Sequence, residues 1–92
     1  MRQSYIVSYD LRQPDDASAD YEELIKAIKG YGYWGRLMLS TWIVVTTQDA
    51  AEIRDTLQQH MASQDRIFVA PVGKPAAWRN IMAKSEWLKN RP

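Results

Sequence analysis

Ser4-Tyr5-Ile6-Val7-Ser8-Tyr9-Asp10-Leu11 is a β-branched and aromatic run that ends in a carboxylate and then breaks into a turn-rich loop. Side chains alternate across a strand, so Tyr5, Val7, Tyr9 and Leu11 share one side while Ile6, Ser8 and Asp10 share the other. Both sides carry apolar surface, as expected of a central strand with one well-buried face. The residues that follow, Arg12 to Ala19, include Pro14, Asp15, Asp16 and Ser18, which favour turns.

Working outward, Asp20 followed by Glu23 has capping-box spacing, and Tyr21, Leu24, Ile25 and Ile28 fall on one helical stripe. Gly30 and Gly32 stop that helix. Gly35 to Thr47 is strand-prone throughout but long for one strand, so it reads as two short strands with a turn or bulge near Ser40. Asp49 and Glu52 repeat the capping-box spacing ahead of a second stripe, Ala50, Ile53, Leu57 and Met61. Asp65 to Val72 is a fourth strand, with Pro71 near its end as an edge tolerates. Residues 74–92 then read as a basic amphipathic helix with Trp78, Ile81, Met82 and Leu88 roughly on one face, packing on or extending a domain that spans residues 1–73.

The order strand, helix, strand, strand, helix, strand is the split βαββαβ unit. It predicts an α+β, ferredoxin-like fold, a four-stranded antiparallel sheet with both helices on one face. The other face is bare unless the C-terminal segment or a second subunit covers it. An uncovered sheet face is where such folds dimerise or bind nucleic acid or another ligand.

Composition narrows the classes. Ninety-two residues, 46% hydrophobic with four Trp and five Tyr, suit one small globular domain. The absence of cysteine removes disulfides and thiolate chemistry and fits a reducing cytoplasm. No apolar run approaches the roughly 18 residues of a membrane span, so no membrane partner is expected. The net charge of +1 conceals a polarity. Asp10 to Glu23 carries six acidic residues against Arg12, and Lys74 to Pro92 carries five basic residues against Glu86. Such ends can pair with each other, or the basic one can meet phosphate.

Most site chemistries find little support. Tyr5, Tyr9 and Trp42 suit base stacking, but the third strand, Ser-Thr-Trp-Ile-Val-Val-Thr-Thr, lacks the glycine-aromatic pattern of an RNA-recognition module. His60, the only histidine, reads as lying late in the second helix beside Met61, where a lone histidine is more often a surface or partly packed residue than a general base. There is no His or Cys cluster for zinc and no phosphate-cradling glycine loop. Oxygen-only magnesium binding is left, because it needs one or two protein carboxylates. Asp10 supplies one, and its symmetry mate in a homodimer would supply the second. The plainer alternative is that Asp10 caps a turn at a strand end.

Tyr-Ile-Val-Ser-Tyr-Asp-Leu at 5–11, a helix ending near Gly30, and Leu-Ser-Thr-Trp at 39–42 resemble the second CRISPR-associated protein family and its VapD-type toxin relatives. With Trp87-Leu88-Lys89, the chain is also similar to small bacterial proteins labelled SinR-like. The resemblance implies a ferredoxin-like homodimer in which Asp10 faces its mate and serves magnesium-dependent phosphodiester cleavage, or else a scaffold that bridges nucleic acid. The acidic loop after Asp10, and a basic segment with two Trp where relatives carry a swapped strand, depart from that pattern. On this reading Asp10 is the catalytic and metal residue. Arg12, Arg36, Arg79 and Lys84 are phosphate contacts to DNA or RNA, and Tyr9, Trp42, Trp78 and Trp87 are interface residues. The competing expectation is a non-catalytic protein-interaction module, an accessory of a phage-defence or toxin–antitoxin system.

Overall fold

The computed structural model describes residues 1–11, 18–74 and 76–92, with the side chains of the first helix from residue 22 onward. The elements are β1 (Gln3–Asp10), α1 (Ser18–Lys29), β2 (Trp34–Met38), β3 (Thr41–Thr46), α2 (Ala50–Gln58), β4 (Arg66–Pro71) and α3 (Ser85–Lys89). The strands form one sheet in the order β2-β3-β1-β4, and every pairing is antiparallel. This is the ferredoxin-like arrangement, with β1 inside the sheet. Its register sets Val7 between Trp42 and Val69, and Ile6 between Ile43 and Ala70.

Alternation along β1 divides the molecule. Tyr5, Val7 and Tyr9 join Trp42 and Val44 of β3 in a core closed by Leu24 and Ile28 from α1 and by Ile53 and Leu57 from α2. Burying one such aliphatic side chain contributes about 1.5–3 kcal/mol, whereas a helix cap contributes typically ~1. The helices are therefore held chiefly by packing. The cap at α2 is nonetheless complete. Glu52 N–H donates to Asp49 Oδ1 at 2.8 Å, and Asp49 N–H donates to Glu52 Oε1 at 3.1 Å. Helix α1 begins at Ser18, so Asp20 lies inside it rather than at its N-cap. Met61 and His60 lie past the end of α2, although Met61 still packs against the core. The loop expected over Arg12 to Ala19 falls largely outside the described residues.

The C-terminal segment covers part of the sheet's back face, but not as one long helix. Only Ser85–Lys89 is helical. Asn80 has a positive φ of 57°, a left-handed conformation that cannot continue a right-handed helix. The Met82 N–H turns away to donate to Leu37 O on β2 at 3.0 Å. Tertiary bonding to the sheet thus overrides helix propensity in this stretch, and Trp78, Ile81 and Met82 lie outside α3. Further on, Trp87 lies over Gly35 and Leu88 is buried. Arg91 donates from Nη2 to Gly73 O at 3.1 Å and from Nη1 to Val72 O at 3.3 Å. Ser4 Oγ donates to Pro92 O at 2.6 Å. Arg91 is only 2% exposed, so the segment's outward charge comes from Lys74, Arg79, Lys84 and Lys89 rather than all five basic residues.

Candidate functional site

Two surfaces carry the residues singled out by the sequence. The first is the part of the back face that the C-terminal segment leaves bare. The register sets Phe68 beside Ser8, Ser8 beside Thr41, and Thr41 beside Met38, a single row across all four strands. A bulge between Arg36 and Met38 brings Met38 into this row. Ser8 Oγ and Thr41 Oγ1 are 3.2 Å apart at its centre, within hydrogen-bonding distance. At its two ends Phe68 is 63% and Met38 58% exposed.

Asp10 flanks that row. It pairs with Arg66 across β1 and β4, and Arg66 Nη1 donates to Asp10 Oδ2 at 3.3 Å, with both side chains exposed. The pair helps line a depression of about 230 Å³ with Ser8, Ile67 and Phe68. Among the described residues no group of three or more His, Cys, Asp or Glu side chains gathers as a metal cage. Among the described residues of one protomer, then, Asp10 is an exposed carboxylate whose neighbour is a guanidinium.

The second surface lies along β2. Arg2 Cζ sits 5.2 Å from the Tyr33 ring centroid, Lys29 Nζ 5.2 Å from Trp34, and Arg36 Cζ 4.9 Å from Trp42. The Tyr33 and Trp87 rings are 5.5 Å apart. Between this strand and the C-terminal segment runs a groove of about 500 Å³, with Gly35 in its lining beside Trp34, Arg36, Met82, Lys84 and Trp87.

No protein-family model matches the sequence. The fold does have a match. The crystal structure of a hypothetical protein from Thermus thermophilus aligns over 87% of this chain and 93% of its own, with a TM-score of 0.67 and 23% identity. That likeness establishes the fold and carries no activity.

The structure brings Arg36, Lys84 and Trp87 together in the β2 groove and leaves Asp10 with Arg66 in a separate depression. Arg36 is partly engaged already, donating from Nη2 and Nε to Leu39 O at 2.6 and 3.2 Å. Tyr9 and Trp42 are corrections. Both are buried on the helix side, where Trp42 Nε1 donates to Tyr9 O–H at 3.2 Å, so neither presents an interface. Trp87 spends much of its ring on this chain's own sheet. Trp78 is half-buried and donates from Nε1 to Ser85 Oγ at 3.1 Å. Arg79 is exposed and belongs to neither surface, and Arg12 lies outside the described residues.

The residues that sequence reasoning missed are Phe68, Met38 and Arg66. The alternation of Ile67 and Val69 against Arg66, Phe68 and Ala70 signals that Phe68 faces away from the core. Nothing local signals the Asp10–Arg66 pair, which depends on the register of strands 56 residues apart.

Proposed function

We propose that this chain works as a homodimer of the CRISPR-associated-two and VapD-like kind, in the cytoplasm, positioned on or beside nucleic acid as an interaction module that does not cut it. The observation that carries this reading is the bare row Phe68–Ser8–Thr41–Met38. The C-terminal segment covers the rest of the back face and stops short of it. The row supports pairing with a second copy because it is self-complementary about a two-fold axis. About an axis through the row's centre, the apolar end at Phe68 of one copy meets the apolar end at Met38 of the other. A stable dimer buries roughly 800 Å² per partner, more than one row supplies. Among the described residues strand β4 closes the sheet beside the row, and its outer edge pairs with no other strand.

The non-catalytic part of the reading rests on Asp10 itself, an exposed carboxylate already paired with Arg66. Light scattering during size-exclusion chromatography tests the dimer. Wild type is expected at twice the protomer mass, and Phe68→Glu at the protomer mass with an unchanged circular dichroism spectrum. A monomeric wild type refutes the dimer. Magnesium-dependent cleavage of DNA or RNA by wild type, abolished in Asp10→Ala, overturns the non-catalytic reading in favour of a paired-carboxylate nuclease.

A further inference from the structure

The geometry points to the cavity between α3 and the chain just after β4 as a binding site for a small aromatic acid. The ring would lie against Trp78, and the carboxylate or phosphate would meet Lys74 and Lys89. This goes beyond the proposed function and is independent of it, because it uses neither the dimer row nor nucleic acid.

Three observations converge on this ligand. The first is the cavity itself, about 290 Å³, lined by Lys74, Ala76, Trp78, Leu88, Lys89 and Arg91. Apolar and aromatic walls stand beside three cations, and the described lining holds no Asp or Glu. Ligand pockets run from roughly 300 to 1,000 Å³, so this volume suits one ring with its acidic group and not a length of polymer. The second is that the ammonium groups are available. Lys74 and Lys89 are exposed, and among the described residues neither enters an ion pair.

The third is the buried Arg91. Its Nη groups donate to the backbone oxygens of Val72, Gly73 and Pro92 at 3.3, 3.1 and 3.4 Å, and these three residues are outside the cavity's described lining. Its Nε, also buried, has no hydrogen-bond partner. An unpaired buried donor is costly. An acid oxygen entering the cavity would give this one a charge-assisted bond.

The walls are ordered in advance. Trp78 Nε1 donates to Ser85 Oγ at 3.1 Å, which ties the half-buried indole to the start of α3, and Leu88 is buried. Fixed walls lower the entropy that binding must offset, leaving chiefly the two lysines to be ordered. Recognition then needs both halves of the ligand. A neutral ring leaves the cations unmatched, and an inorganic anion leaves Trp78 uncovered.

The test titrates the full isotope-labelled chain with benzoate, phenyl phosphate, benzyl alcohol and inorganic phosphate. Proton–nitrogen correlation spectra would follow the Arg91 Nε–H and Trp78 indole N–H resonances. The expected result is saturable movement of both resonances with benzoate or phenyl phosphate, and binding about tenfold weaker or more for benzyl alcohol and inorganic phosphate. Lys74→Gln and Lys89→Gln should each weaken binding about two- to fivefold, whereas Lys84→Gln, outside the cavity, should leave it unchanged. All three lysines are exposed, so these variants keep the fold. Benzoate and phenyl phosphate separate a carboxylate from a phosphate as the acid recognised.

No saturable movement with either acid would overturn the site. Equal binding of benzyl alcohol would reduce it to an apolar crevice, and equal binding of inorganic phosphate would reduce it to a pair of surface lysines. An equal loss in Lys84→Gln would show attraction by general charge and likewise overturn it.

Discussion

The indole of Trp87 rests on the backbone of Gly35 so closely that a methyl group there would sit 2.5 Å from its Cζ3 and 2.8 Å from its Cε3. The glycine is needed for close approach, because its backbone does not lie in the left-handed region. Gly35→Ala should therefore push the ring away and destabilise the protein by about 1–3 kcal/mol, the usual cost of overpacking. Urea denaturation measures this. Replacing Trp87 with Leu in the alanine background should cost much less than in wild type, because the clash is then already relieved. Additive effects of the two changes would mean that the contact is not what Gly35 provides.

The burial of Trp42 makes a second prediction. Its Nε1–H has Tyr9 O–H as acceptor inside the core. Tyr9→Phe removes that acceptor without changing the shape of the ring and leaves a buried donor unpaired, at about 1–3 kcal/mol. The loss should appear as a lower denaturation midpoint with an unchanged slope. A change within about 0.5 kcal/mol would show that water reaches the indole nitrogen.

Much of this fold was legible in the residues, and the reason lies in alternation and capping. Tyr5, Val7 and Tyr9 announce a buried face at period two, Asp49 with Glu52 announces the start of α2, and the break near Ser40 separates β2 from β3. These signals are local, each decided by neighbours within a few positions. The C-terminal segment was misread because its conformation depends on distant partners. Its apolar residues do not form the stripe of one helix. Met82 instead bonds Leu37, Trp87 lies on Gly35, and Arg91 reaches Val72 and Gly73. The site was legible to the same extent. Arg36, Lys84 and Trp87 stand out by residue type, but their meeting in one groove follows from where that segment crosses the sheet. For Asp10 the sequence exposes a carboxylate at a strand end and cannot reveal Arg66 opposite.

That opposite placement supplies a third prediction. The Asp10–Arg66 pair is exposed and joined by one contact at 3.3 Å, and such pairs contribute roughly 0–1 kcal/mol. In the Phe68→Glu background, Asp10→Ala and Arg66→Ala should each shift stability by less than about 1 kcal/mol, and the shift should shrink in high salt. A salt-insensitive loss of about 3 kcal/mol or more would instead show that the pair is desolvated within the protomer.

Alkaline titration supplies the last prediction. Tyr31 donates its O–H to Gln48 Oε1 at 2.8 Å. Burial raises its phenol above the ordinary value, and Glu52 adds to the rise while a hydrogen bond with Thr56 opposes it. A group whose folded value is raised keeps its proton longer in the native state than in the unfolded chain. Its contribution is therefore fully present below the ordinary tyrosine range and is lost as pH rises through the folded value. Above about pH 10 the unfolded chain releases this proton first, and ionisation of the native phenol then takes away the donor to Gln48. The melting temperature should consequently fall more steeply above that pH in wild type than in Tyr31→Phe, which has no proton to release. Parallel curves for the two proteins across that window would show that Tyr31 ionises alike in both states, and that the packing of Tyr31 against α2 does not restrain its proton.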